Sequence, residues 1–162
     1  EILDKPDFRF DRRSKRPPQN ELNALISFGN SLLYTLVLSE IYQTHLDPRI
    51  GYLHATNFRR FTLNLDVAEI FKPVLVDRTI FKVVGQGMIS KSHFVRESGG
   101  LLLTDAGKKI FLKEWEDKLK TTIKHRALGR DVSYRRLVRL ELYKLEKHLM
   151  GEQNYEPFEA LW

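Results

Sequence analysis

The stretch LDPRIGYLHATNFRRFTLNLDVAEIFKP, residues 46–73, organises the prediction of the whole chain. It begins with an Asp-Pro turn signal and ends in an apolar-periodic segment that carries Asp66 and Glu69. Residues three apart in a helix share a face, so we expect both carboxylates to point the same way. His54 lies upstream in the same stretch.

Two interpretations of these three residues follow from their chemistry. An imidazole and two carboxylates suit a hard divalent cation beside a phosphate. Alternatively, Asp66 and Glu69 stabilise a helix N-terminus through its dipole, and His54 is a polar loop residue. Spacing alone favours the second interpretation.

Three arginines near this stretch are candidates to hold phosphate oxygens: Arg59, Arg60 and Arg78. Each is equally an ordinary surface cation or one half of a structural ion pair. Arg78 in particular directly follows Asp77 in the sequence.

Length and composition predict one globular domain over residues 1–162, with 42% hydrophobic and 30% charged residues. The absence of cysteine excludes disulfides, thiolate zinc sites and cysteine nucleophiles, and it is compatible with a reducing cytoplasm. No apolar run approaches the roughly 20 residues of a membrane span and no signal peptide is visible, so we expect no membrane association.

The formal net charge of +6 predicts an anionic partner, because the cations are clustered. Residues 118–148 hold ten Lys/Arg and three Asp/Glu, a local net charge of +7. The candidate DNA-binding cations form a basic arm and one helix face: Arg12, Arg13, Lys15, Arg16, Arg135, Arg136 and Arg139. A solvated charged surface is the alternative for both groups.

The chain pattern predicts an all-α domain with at most a short extended arm over residues 61–65. A basic, proline-containing lead-in (1–18) precedes a helical core (19–151), and an aromatic tail (152–162) that docks on a core or a partner follows it. The segments 85–103 and around Gly129 are predicted to be a loop and a linker.

Four helices are expected in the core. One starts after an Asn20 cap and runs to about Gln43, with Gly29 permitting a close helix neighbour. The others run from about Asp66 to Val84, kinked by Pro73, and from caps at Thr104 and Ser133.

Several blocks in order closely resemble the C-terminal helical domain of Cas1, the CRISPR-associated endonuclease/integrase of spacer acquisition. The blocks are RRSKRPPQNELNALISFGNSLLY (12–34), LDPRIGYLH (46–54), RFTLNLDVAEIFKPVLVDR (60–78) and LLLTDAGKKIFL (101–112). Residues 121–152 resemble the subgroup that accompanies type I-B-like systems. The resemblance covers nearly the whole chain and reverses the preference stated above for the His54 stretch.

The resemblance implies a metal-dependent DNA nuclease and strand-transferase that uses Mg²⁺ or Mn²⁺. It places the metal-binding and catalytic residues on His54, Asp66 and Glu69, with Glu69 favoured as the direct carboxylate ligand and Asp66 either supporting it or sharing the metal. It further implies a homodimer that acts on double-stranded spacer and repeat ends with a small dimeric partner, Cas2.

One feature of the family is absent from this sequence. The family's Glu-Gly motif, which carries a further metal ligand, has no counterpart, since Glu1 is followed by Ile2. We therefore expect a C-terminal piece that lacks the N-terminal β domain and is inactive by itself.

Two other classes of function remain compatible with the sequence. A non-catalytic nucleic-acid-binding domain would keep DNA binding without His54, Asp66 and Glu69 and would bind no metal. A helical dimerisation module would form a concentration-dependent oligomer that is indifferent to salt and DNA.

Overall fold

The computed structural model describes Phe8 and residues 12–14, 17–49, 62–125 and 128–159, and structural statements concern these residues. The helices are α1 (Glu21–Ile41), α2 (Leu63–Phe71), α3 (Arg78–Gly85), α4 (Asp105–Lys120) and α5 (Tyr134–Leu149). A π-helical segment, Lys72–Asp77, joins α2 to α3, and a 3₁₀ turn spans Lys91–His93. The strands are β1 (Phe94–Glu97), β2 (Gly100–Leu103), β3 (Thr122–His125) and β4 (Arg130–Ser133).

The fold is mostly helical, but the expectation of a purely all-α domain is wrong. Antiparallel hairpins replace the predicted loop and the predicted linker: β1 pairs with β2, and β3 pairs with β4. The extended arm is also wrong over its described part, because residues 63–65 form the first turn of α2. Each strand is only four residues long, and none of the sequences FVRE, GLLL, TIKH and RDVS alternates strictly between apolar and polar residues.

Three of the four predicted helices begin at the predicted caps. A side-chain oxygen accepts a hydrogen bond from a backbone N–H three residues on in each case, as the capping rule requires. The pairs are Asn20 Oδ1 with Asn23 N (2.8 Å), Thr104 Oγ1 with Gly107 N (3.2 Å) and Ser133 Oγ with Arg136 N (3.2 Å).

The expected second helix is longer than predicted and changes type at Pro73. Proline has no N–H to donate, so the carbonyl of Glu69, four residues earlier, cannot receive its α-helical hydrogen bond. The π-helical segment begins at Lys72, where this defect falls, and the chain returns to α geometry at Arg78. The predicted kink is therefore a short π-helical insertion.

The chain divides into two compact units, the first formed by residues 1–31 and 75–118 and the second by residues 32–74 and 119–162. In the first unit the last residue of the lead-in contacts the first hairpin, where Leu101 N donates to Pro18 O at 2.8 Å. In the second unit α2 packs on α5. The predicted division into lead-in, core and tail stays a prediction.

Among the described helices, only α1 is long and apolar enough to suit a membrane span. A helix of a protein core passes the same test of length and composition. Leu25, Leu33 and Val37 of α1 are fully buried, which is typical of a core helix.

Gly29 of α1 provides the close approach that the sequence predicts. A Cβ atom at this position would lie 2.7 Å from Val76 Cγ1 and 3.3 Å from Phe111 Cζ. The ring of Phe28 meets the ring of Phe111 edge-on, with centroids 5.4 Å apart. Glycine, which has no Cβ atom, is therefore required where α1 packs on the π-helical segment and α4.

We expect Gly29→Ala to lower the free energy of unfolding by about 1–3 kcal/mol, because overpacking outweighs the helix propensity gained by alanine. Denaturant unfolding measures the change. Gly85→Ala is the matched control, since nothing lies within 4 Å of a Cβ there. A Gly29→Ala protein as stable as the parent would contradict the close packing.

Candidate metal centre

The N-terminus of α2 is hydrogen-bonded to the Asp47-Pro48 turn. Leu63 N donates to Pro48 O (3.2 Å), and Thr62 Oγ1 donates to Arg49 O (2.9 Å). In the turn itself, hydrogen bonds from the Arg49 side chain and backbone lower the pKa of the Asp47 carboxyl to about 2. The predicted Asp-Pro turn thus anchors the helix that carries the acidic pair.

Asp66 and Glu69 both lie on α2, three residues apart, as the sequence predicts. Their environments differ: Asp66 is buried at 5% exposure, whereas the Glu69 side chain is 53% exposed. A buried carboxylate is suited to orienting a neighbour, and an exposed one is accessible to a cation from solvent. The assignment of Glu69 as the direct ligand, with Asp66 supporting it or sharing the metal, stays a prediction.

Lys72 and Tyr34 lie beside Glu69, and neither residue was predicted from the sequence to belong to the site. Lys72 Nζ forms an ion pair with Glu69 Oε1 and lies 5.3 Å from the centroid of the Tyr34 ring. Burial lowers the pKa of Lys72, but hydrogen bonds to Glu69 and Tyr34 outweigh it, so the net effect raises the pKa. The lysine therefore stays charged beside the Glu69 carboxylate.

A hydrogen bond also ties α2 to the second half of α1. Asn64 Nδ2 donates to Tyr34 O at 3.3 Å, so the residue whose ring meets Lys72 also anchors the first turn of α2. The spacing of Glu69 and Lys72 was available from the sequence as an i,i+3 ion pair. Tyr34 gave no such signal, because it is distant in sequence from α2.

His54, Arg59 and Arg60 lie outside the described residues. Within the described ranges, no group of three or more His, Cys, Asp or Glu side chains is placed to hold a metal ion. The described part contributes two carboxylates, whose oxygen donors fit Mg²⁺ or Mn²⁺. A complete site needs further ligands in addition to Asp66 and Glu69.

The arginines of the basic arm have different surroundings. Arg12 is exposed. Arg13 is half-buried, and its guanidinium donates to Asn23 Oδ1 (2.8 Å) and Ser27 Oγ (3.3 Å), which ties the lead-in to α1. Lys15 and Arg16 lie outside the described residues.

Arg78 lies half-buried at the start of α3, in the first unit. Burial is the main cause that lowers the pKa of Lys118, and the charges of Arg78 and Lys82 lower it further. Arg78 thus belongs to a local group of cations on α3 and α4. Lys82 of this group forms an ion pair with the buried Glu114.

The cations of α5 also separate into two kinds. Arg135 and Arg136 are exposed, and the Arg136 guanidinium lies 6.0 Å from the Tyr143 ring centroid. Arg139 Nε instead donates to Glu40 Oε2 at 2.6 Å, and Glu40 is buried at 4% exposure. This pair joins α5 to α1.

The comparisons with known proteins place this mostly helical domain among CRISPR-associated proteins. The family described as CRISPR associated protein Cas1 matches residues 1–117. The chain is 62% identical to a CRISPR-associated endonuclease Cas1 of Thermodesulfovibrio yellowstonii over 161 residues, 99% of this chain and 49% of that protein. A Cas1 endonuclease of Thermotoga maritima is 60% identical over 90% of this chain and 46% of its own length.

Solved structures show the same fold. A Cas1 protein from Thermotoga maritima superposes with a TM-score of 0.88 at 54% identity, covering 98% of this chain and 48% of that chain. A casposase bound to its integration product superposes with a TM-score of 0.85 at 19% identity, covering 96% and 48%, which supports the fold alone. The chain belongs to the Cas1 family. It spans about half the length of the curated relatives it matches.

Proposed function

We propose that this chain is the C-terminal helical domain of a metal-dependent DNA endonuclease/integrase of spacer acquisition, in the type I-B-like subgroup. The observation that carries the proposal is the acidic pair on α2, with Glu69 exposed to solvent and Asp66 buried beside it. The endonuclease relatives and the Cas1 family match support the same activity.

Glu69, Asp66 and His54 would hold Mg²⁺ or Mn²⁺ in the complete protein, meaning the longer protein to which this domain would belong. A bound divalent cation supplies electrostatic stabilisation of the phosphate oxygens during phosphodiester cleavage and strand transfer. Of the chain's own residues, Glu69 presents its carboxylate to the cation and Asp66 orients the site from its buried position. Lys72, which forms an ion pair with Glu69, would balance the Glu69 charge in the protein without a bound cation.

Double-stranded DNA is the substrate in this proposal. The cations that would contact phosphates are Arg12, Lys15, Arg16, Arg59, Arg60, Arg78, Arg135 and Arg136. We assign Arg13 and Arg139 a structural role, because their guanidinium groups bind Asn23 and Glu40. Such contacts give an affinity that is independent of sequence and decreases with salt.

Homodimerisation and a Cas2 partner complete the proposed function, and the active protein would be cytoplasmic. Complexes of Cas1 with Cas2 are among the solved structures of similar fold, which supports a Cas2 partner.

Mn²⁺ titration of the complete protein, followed by the electron paramagnetic resonance signal of free Mn²⁺, tests the proposal. We expect saturable binding that His54→Ala and Glu69→Ala weaken. Lys72→Met should tighten Mn²⁺ binding by up to about fivefold. The half-exposed Lys72–Glu69 ion pair, worth about 1 kcal/mol at most, then no longer competes with Mn²⁺ for the carboxylate. DNA binding without Mn²⁺ binding would instead support the non-catalytic nucleic-acid-binding domain.

A further inference from the structure

Residues 155–158, which we call the strap, return along the protein after α5. The chain turns at Gly151, whose φ of +75° is accessible to glycine, and the strap then lies against α5. Tyr155 Oη donates to Glu141 Oε1 at 2.6 Å, and the backbone N–H of Phe158 donates to the same oxygen at 3.0 Å. One carboxylate oxygen of α5 therefore holds both ends of the strap.

Glu141 is buried at 1% exposure, so its charge requires compensation. Lys144 Nζ lies 2.7 Å from Glu141 Oε2 and donates to Glu156 O of the strap at 2.8 Å. The lysine thus joins the carboxylate to the middle of the strap. Hydrogen bonds to a charged group are stronger than those between neutral groups. The strap is therefore held on α5 more firmly than a chain segment that is bonded only to water.

The strap ends in a stacked pair of aromatic rings. The Phe158 ring lies 5.5 Å from the Phe71 ring, centroid to centroid, with an interplanar angle of 10°. Phe71 is fully buried and is the last residue of α2, the helix that carries Asp66 and Glu69. The strap therefore contacts the helix of the acidic pair directly.

Phe71 lies on the back of α2 with respect to the acidic pair. At 3.6 residues per turn, its side chain is about 140° around the helix from Asp66 and about 160° from Glu69. The end of α2 also lacks one helical hydrogen bond, because Pro73 cannot donate to Glu69 O. Packing on Phe71 thus contributes to the orientation of α2 at the end where the α-helical hydrogen bond to Glu69 O is missing.

We propose that the strap is a positioning element of the metal centre and that Phe158 is a positioning residue that acts through Phe71. This inference rests on the proposed function. Phe158 does not touch the metal or the DNA in this role; its ring fixes the rotation of α2 from behind, and so fixes where the Asp66 and Glu69 carboxylates meet the cation.

Phe158→Ala in the complete protein tests the inference. We expect kcat for Mn²⁺-dependent DNA cleavage to decrease at least about tenfold with KM for DNA unchanged, because displaced reacting groups lose rate even when the mutation is remote. Phe158→Tyr, which keeps the ring and its plane, should restore the rate. Glu159→Ala, an exposed neighbour, is the matched control and should leave the rate unchanged.

Hydrogen exchange separates positioning from general loss of structure. Below the unfolding temperature of every variant, Phe158→Ala should accelerate exchange of the α2 amides while the first hairpin, β1–β2, exchanges as in the parent. An unchanged kcat in Phe158→Ala overturns the inference. A lower kcat also overturns it if hydrogen exchange is faster throughout the chain, or if Phe158→Tyr does not restore the rate. A parent protein without Mn²⁺-dependent cleavage overturns the proposed function itself and the inference with it.

Discussion

Glu69→Gln in the complete protein is expected to lower the rate of metal-dependent strand transfer by at least about a hundredfold. Stabilisation of phosphate charge by a cation is worth several kcal/mol, and each 1.4 kcal/mol changes a rate tenfold. Glutamine keeps the size of the side chain and removes the charge that binds the cation. Single-turnover cleavage and integration assays across a range of Mn²⁺ concentrations measure the effect.

The DNA affinity of the same variant should stay within a few fold of the parent, because the proposed phosphate contacts come from arginine and lysine side chains and not from Glu69. Glu116→Gln, an exposed glutamate of α4, is the matched control for removal of one negative charge. Retained metal-dependent activity in Glu69→Gln would remove Glu69 from the ligand set.

Arg139→Ala is expected to lower the free energy of unfolding by about 2–3 kcal/mol. Glu40 would lose its 2.6 Å partner while its carboxylate stays buried at 4% exposure. Loss of one partner from a fully buried ion pair costs about 3–5 kcal/mol, and the 30% exposure of the Arg139 side chain reduces that figure. Chemical denaturation of the parent and the variant measures the difference.

Two further variants show whether Arg139 acts on stability alone. Glu40→Met combined with Arg139→Met should recover most of the loss, since replacing both members of a buried pair is often neutral. Arg136→Ala, one turn earlier on α5, should leave stability within about 0.5 kcal/mol and instead reduce DNA affinity and its salt dependence. If the fully folded Arg139→Ala protein binds DNA more weakly than the parent, the assignment of a purely structural role to Arg139 is wrong.

The long elements could be predicted from the sequence because their signals are local. Leu25, Leu33 and Val37 follow a helical period, and the caps Asn20, Thr104 and Ser133 lie beside the backbone N–H groups that they bind. The hairpins escaped prediction because β2 has the sequence GLLL, with no alternation. Its turn, Ser98-Gly99, has positive φ at both residues and resembles an ordinary loop in sequence.

The part of the candidate site that could be predicted is the part that depends on residues close together in sequence. A shared helix for Asp66 and Glu69 follows from their separation of three residues. The other features of the site depend on residues that are distant in sequence. They are the difference in exposure between Asp66 and Glu69, the contact of Lys72 with Tyr34, and the ion pair of Arg139 with Glu40. The strap shows the same limit: an aromatic tail was expected to dock, but Glu141 as its anchor had no signal in the sequence.

The most direct test of the central claim is the position of Mn²⁺ in crystals of the complete protein soaked with MnCl₂, located by anomalous scattering. The account predicts a peak about 2.2 Å from a Glu69 carboxylate oxygen, with His54 in the same coordination shell. An anomalous map without Mn²⁺ at Glu69, from crystals whose protein cleaves DNA in the same buffer, would contradict a metal centre on α2.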